Sequence, residues 1–166
     1  MNIKDKLRFE NASDGISLQP NRKIISSLLC YAVAVLIAVV VLNLFAQQLG
    51  EGGMILCLAI IIYFILHGLY DILFRLNVRY IFDRYNRIIY RENHPFGRRK
   101  LMMFDEAVIF INADSGNWHY SLGVKKQQFL KNYKISPNYS NGKISEKQVM
   151  EFEEEILDPL LLLLES

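Results

Sequence analysis

Residues 24–46 read IISSLLCYAVAVLIAVVVLNLFA, without one charged side chain. Seven residues later a second apolar run follows at 54–74, MILCLAIIIYFILHGLYDILF, whose only Asp, Glu, Lys or Arg is Asp71. About 20 apolar residues cover the roughly 30 Å hydrocarbon core of a bilayer, and each run reaches that length. The rest of this 166-residue chain is too small to bury two such stretches, so both are expected to lie in a membrane. The first run is no signal peptide: it exceeds the usual apolar core of about 7–15 residues and lacks an A-x-A cleavage pattern. The intervening QQLGEGG at 47–53 is short and glycine-rich, which predicts a connecting loop and two antiparallel transmembrane helices. The expected fold class is therefore a membrane α-helical hairpin carrying an α+β lobe.

Basic residues set the orientation. Lys4, Lys6, Arg8, Arg22 and Lys23 precede the first run, and the connecting stretch has neither Lys nor Arg. Arg75, Arg79, Arg84, Arg87 and Arg91 follow the second run, and then comes Arg98-Arg99-Lys100. The positive-inside rule predicts a multi-pass protein of the inner (plasma) membrane with both termini in the cytoplasm. The expected division is 1–23 as an N-terminal segment, 24–75 as the hairpin, and 76–166 as a cytoplasmic β-rich domain. Cys30 and Cys57 fall at different depths along the helices and read as packing residues rather than a disulfide.

Beyond residue 77 the period shortens to two. Runs at 78–83 (VRYIFD), 87–92, 99–104, 107–112, 117–123 and 132–137 are each bounded by Asp, Asn, Gly, Ser or Pro, the spacing of an antiparallel meander. Arg84-Tyr85-Asn86 suits a hairpin turn, with Asn86 taking the left-handed conformation. GISLQ at 15–19 alternates in the same way and predicts a further strand ahead of the membrane segment. Ser145 with Gln148 matches a capping box, opening an amphipathic helix that Pro159 should interrupt. Seven strands and one C-terminal helix describe a PH-like (pleckstrin-homology-like) domain, split by the membrane hairpin.

GISLQPNRK, then FDRYNRIIYRE, then GRRKLMMFDEAVIFI occur in that order around the apolar runs. This layout resembles bacterial two-helix membrane proteins with a split PH-like domain, in particular photosystem I assembly proteins of the two-transmembrane type. The resemblance implies an anchored module for assembly or interaction and no catalytic residues.

Catalytic and metal-binding motifs are missing from the sequence: no GxGxxG, P-loop, HExxH, GxSxG or CxxC. His67, His94 and His119 have no neighbour at metal-ligand spacing, so neither metal nor cofactor is expected. Asp105-Glu106 reads as a turn start rather than a carboxylate dyad. Within the apolar runs the polar candidates are Asn43, His67 and Asp71; His67 and Asp71 share a helix face at i, i+4. Arg75, Arg79, Arg98, Arg99 and Lys100 are expected at the membrane surface, each attracted to anionic headgroups by about 1 kcal/mol. The aromatics among these cations alternate as a half-buried sheet requires, so no nucleic-acid partner is expected.

These features predict a non-enzymatic binding and assembly (scaffold) protein. Its partners would be membrane lipid and another membrane protein, with Ala32, Ala34 and Ala38 small enough to admit a second copy as a homo-oligomer. The alternative is an immunity protein against a membrane-acting, pore-forming bacterial toxin, which would then be the partner.

Overall fold

Ile16 and Leu18 of one short strand face Phe82 and Tyr80 of another, although the whole apolar segment separates them in sequence. The structure, a computed structural model, describes residues 2–114, 116–125, 132–140 and 142–165. It divides into two compact units: Met1–Arg22 with Asn77–Ser166, and Lys23–Leu76.

The first unit begins with α1 (Ile3–Leu7), whose Ile3 and Leu7 are buried. The Ile3 N–H donates to Glu151 Oε1 at 3.0 Å, which pins the N-terminus to the C-terminal helix. A five-stranded antiparallel sheet follows in the order β1 (Glu10–Ala12), β2 (Gly15–Leu18), β3 (Val78–Asp83), β4 (Ile88–Asn93) and β5 (Gly97–Met103). Val78, Tyr80 and Phe82 point into the core, while Arg79, Ile81 and Asp83 point out, the period of two read from the sequence. Gly15 has φ of 153°, and a Cβ there would lie 2.0 Å from the Phe82 carbonyl oxygen, so only glycine lets β2 approach β3 this closely. In the β3–β4 turn, Asp83 accepts from the Asn86 N–H (3.0 Å) and side-chain amide (2.8 Å). With Asn86 held in this way, the positive φ falls on Arg87 (52°) and not on Asn86.

A single 3₁₀ turn, Phe104–Glu106, leads into a separate three-stranded sheet of β6 (Ala107–Asp114), β7 (Asn117–Val124) and β8 (Asn132–Lys134). Among the described residues the lobe thus has eight strands in two sheets of five and three, where the sequence predicts seven strands in one PH-like meander.

The C-terminal helix is longer than expected at both ends. α3 (Lys143–Phe152) starts after Gly142, and Ser145 Oγ accepts from the Ser140 N–H at 3.0 Å instead of capping the helix. A π-helical turn, Glu153–Leu157, joins α3 to α4 (Asp158–Glu165). Pro159 sits in the first turn of α4, where a missing N–H is tolerated, so it does not end the helix. Phe152, Ile156, Leu160 and Leu163 close the core against both sheets.

The second unit corrects the expected class. α2 (Ile24–Tyr70) is one helical element, continued by a π-helical turn, Asp71–Leu76. Among the described residues there is one candidate membrane span, Ile24–Leu76, rather than two transmembrane helices joined by a loop. The physical reason lies in residues 47–53: Gln, Leu and Glu are good helix formers, and the helical pattern runs through them. Only Gly50 (φ 62°, ψ −179°) leaves helical geometry, in a region open to glycine alone. The element bends back there, because the Tyr31 and Phe64 rings meet at 5.5 Å, whereas a straight helix would hold them about 50 Å apart. Its large apolar side chains are largely exposed, Leu29 at 69% and Leu44 at 71%. This one helical element is long and apolar enough to cross a membrane.

Candidate functional site

Because β2, β3, β4 and β5 lie side by side in register, their outward residues form one polar face. Arg79 stands opposite Glu92, which stands opposite Arg98; Ser17 stands opposite Ile81. The face is hollowed where Glu10, Ser17, Arg79, Asp83, Asn86 and Arg98 converge, enclosing about 370 Å³. Arg79 is ion-paired with Glu10 and donates to Ser17 Oγ at 2.6 Å. The Arg98 guanidinium lies 3.8 Å above the Tyr90 ring and 3.9 Å from Asp83 Oδ2. The Asn86 side-chain amide, then the Asn86 N–H and the charge of Arg98, hold the Asp83 carboxyl below its ordinary range. The hollow is therefore lined by two arginines, three acidic residues (Glu10, Asp14 and Asp83) and Ser17, with Arg79 paired to Glu10 and Arg98 to Asp83, the chemistry of a recognition surface for a polar partner.

Two of the five expected membrane-surface cations, Arg79 and Arg98, belong to this hollow. Arg75 pairs elsewhere: its Nη1 lies 2.9 Å from Oδ1 of Asp71, which is buried while Arg75 is half exposed. Arg99 and Lys100 are exposed on β5, and no ion pair among the described residues engages them. Of the polar candidates in the apolar runs, Asn43 donates to the Val39 carbonyl of its own helix at 2.8 Å, so it is satisfied locally. His67 packs between rings, edge-on to Tyr31 (5.3 Å) and stacked on Tyr63 (5.7 Å).

Sequence reasoning missed Glu10 and Ser17 as partners of Arg79. The signal was present: Ser13-Asp14-Gly15 is a hairpin turn, and it pairs Glu10 with Ser17. It also missed an aromatic cluster under the second sheet, in which Tyr120 stacks on Phe152 (5.5 Å, 12°) and Trp118 leans on Tyr139 (5.0 Å). Tyr120 donates its hydroxyl proton to Glu153, and burial followed by that carboxylate pushes its pKa up. Asp105 and Glu106 form the predicted turn start: Asp105 pairs with Arg87 at 3.0 Å, and Glu106 accepts from the Met103 N–H at 3.0 Å. Both cysteines are free. Among the described residues no group of three or more His, Cys, Asp or Glu side chains is placed to hold a metal ion.

Comparisons with protein-family models, curated proteins and solved structures find no match to this chain.

Proposed function

We propose that this chain is a membrane-anchored binding and assembly module whose lobe stands on the cytoplasmic face of the inner membrane. The observation that carries this reading is the pairing of β2 with β3. The strands on either side of the apolar element are hydrogen-bonded neighbours, so that element leaves the lobe and returns to it. A lobe joined to its apolar element through two neighbouring strands stays attached to it at both ends, which suits holding a partner in place more than searching for one. Basic residues border both ends of the element, Arg22 and Lys23 before it and Arg75 and Arg79 after it, which supports a cytoplasmic lobe. Arg99 and Lys100, exposed and outside any ion pair among the described residues, are the cations suited to anionic headgroups. The paired charges of the hollow suit a polar protein surface.

The test is in-cell photocrosslinking from Ile81 and Tyr85, which line the hollow. The expected result is capture of one discrete polypeptide, lost when Arg79→Glu reverses the pairing with Glu10. Diffuse capture unaffected by Arg79→Glu, or labelling of a Tyr85→Cys thiol from outside intact cells, would overturn the reading.

A further inference from the structure

Among the described residues the lobe has four strand edges, and three of them are defended. β1 is three residues long and carries Glu10, which Arg79 engages. β5 carries Arg98, Arg99 and Lys100 and pairs through a bulge at Ile89/Tyr90. β8 is also three residues long and ends on Lys134. Short length, charge and bulges are the means by which proteins keep a sheet edge from recruiting another strand. β6 is neither short nor bulged, and its one charged residue is the terminal Asp114. It runs eight residues, pairs with β7 without a register break, and reads AVIFINA from Ala107 to Ala113 with neither charge nor proline.

The direction of its backbone groups follows from its neighbour. Trp118 exchanges both backbone hydrogen bonds with Tyr139, at 2.9 and 2.8 Å. Tyr120 accepts from the Ile135 N–H at 3.0 Å and donates to Ser136 Oγ at 2.8 Å. Both residues therefore turn their peptide groups away from β6, which makes Ala113/Trp118 and Ile111/Tyr120 the non-hydrogen-bonded pairs of the ladder. The Lys125 N–H bonding to the Glu106 carbonyl at 2.8 Å fits the same alternation. The N–H and C=O of Ile109, Ile111 and Ala113 thus face the outer edge, where they make no hydrogen bond among the described residues. Ile111 is also 59% exposed.

We infer that β6 pairs antiparallel, edge to edge, with β6 of a second copy of this chain, on a two-fold axis through Ile111. The sequence spacing selects both occupant and register. Centred on Ile111, Ile109 of each copy faces Ala113 of the other, and the three outward residues form about six backbone hydrogen bonds across the junction. Glu106 then faces Gly116 and Asp114 faces Val108, so no like charges are opposed. A register centred on Phe110 would set Glu106 against Asp114 twice. The uncharged run gives a charged peptide no complement, whereas a second copy supplies the same apolar side chains and the same unfilled peptide groups.

The test uses the purified full chain with Cys30→Ala and Cys57→Ala and single new cysteines. Directly opposed hydrogen-bonded residues sit about 5.5 Å apart at Cα, inside the disulfide range of about 4.4–6.8 Å. Mild oxidation is expected to convert Ile111→Cys largely to a disulfide dimer, while Val108→Cys and Arg99→Cys stay monomeric. Mixed Ile109→Cys and Ala113→Cys chains should crosslink only to each other. Ile111→Lys should turn a dimer into a monomer by light scattering with the Trp118 fluorescence of the folded lobe unchanged. Crosslinking at Arg99 or Val108 equal to that at Ile111, a monomeric parent chain, or a dimer that survives Ile111→Lys would each overturn the inference. So would an Ile111→Cys chain that couples to a different polypeptide and not to itself.

Discussion

Replacing Gly15 by Ala attacks the pairing of β2 with β3, the two strands that flank the apolar element in sequence. The new Cβ would stand 2.0 Å from the Phe82 carbonyl oxygen, and ordinary contact begins near 3.4 Å, so β2 and β3 must part by about 1.4 Å locally. That displacement weakens the ladder bonds around Gly15↔Asp83 and Ile16↔Phe82, each worth about 1 kcal/mol net. The φ of 153° adds about 1–2 kcal/mol for any residue with a Cβ. The expected loss is about 2–4 kcal/mol, or roughly 8–16 °C in midpoint at about 4 °C per kcal/mol for a lobe of this size. Trp118, the only tryptophan, lies in the second sheet of the same unit and reports its unfolding by fluorescence in the solubilised full chain. Gly97→Ala is the control: its φ is 83°, but nothing lies within 4 Å of the added Cβ, so strain alone applies, about 1–2 kcal/mol. If Gly15→Ala melts where the parent does, or costs no more than Gly97→Ala, the close approach of β2 to β3 does not secure this junction.

Phe152→Ala removes a fully buried ring stacked on Tyr120 and should cost about 3–5 kcal/mol by denaturant titration. Tyr80 is buried, which pushes its pKa from near 10 up to about 12, so its neutral form stabilises the fold fully below pH 10 and that contribution disappears as pH rises through about 12. Tyr80→Phe should therefore flatten the loss of stability between pH 10 and 12, measured as midpoint against pH. Asp71 and Arg75 should respond unequally: Arg75→Met strands a buried carboxylate and costs about 2–4 kcal/mol, whereas Asp71→Asn lets a half-exposed guanidinium turn to water and costs about 1 kcal/mol. Equal thermal shifts for the two variants would show that burial of Asp71 does not govern the pair.

Strands β2 to β8 were legible because short β-rich runs are bounded by turn residues, and such patterning is a local property. The apolar character of α2 was equally plain. That residues 47–53 are helical on both sides of Gly50 was not, since Gly50, Gly52 and Gly53 resemble a loop, and whether such residues stay helical depends on hydrogen bonding that composition does not encode. The break into two sheets rests on one 3₁₀ turn, Phe104–Glu106, held by the Glu106 carboxylate on the Met103 N–H, a contact that changes register without changing periodicity. Among the charged pairs, Asp71–Arg75, outside the hollow, could be read from i, i+4 spacing. Arg79–Glu10 and Tyr120–Glu153 join residues far apart in sequence, and side-chain pattern alone says nothing about such partners.

The pairing of β2 with β3 has a temporal side. As the ribosome releases the chain, β2 emerges early and remains without its neighbour until all of α2 has been synthesised. During translation β1 and β2 therefore stand without the rest of their sheet, which can be completed only after the whole apolar segment has left the ribosome.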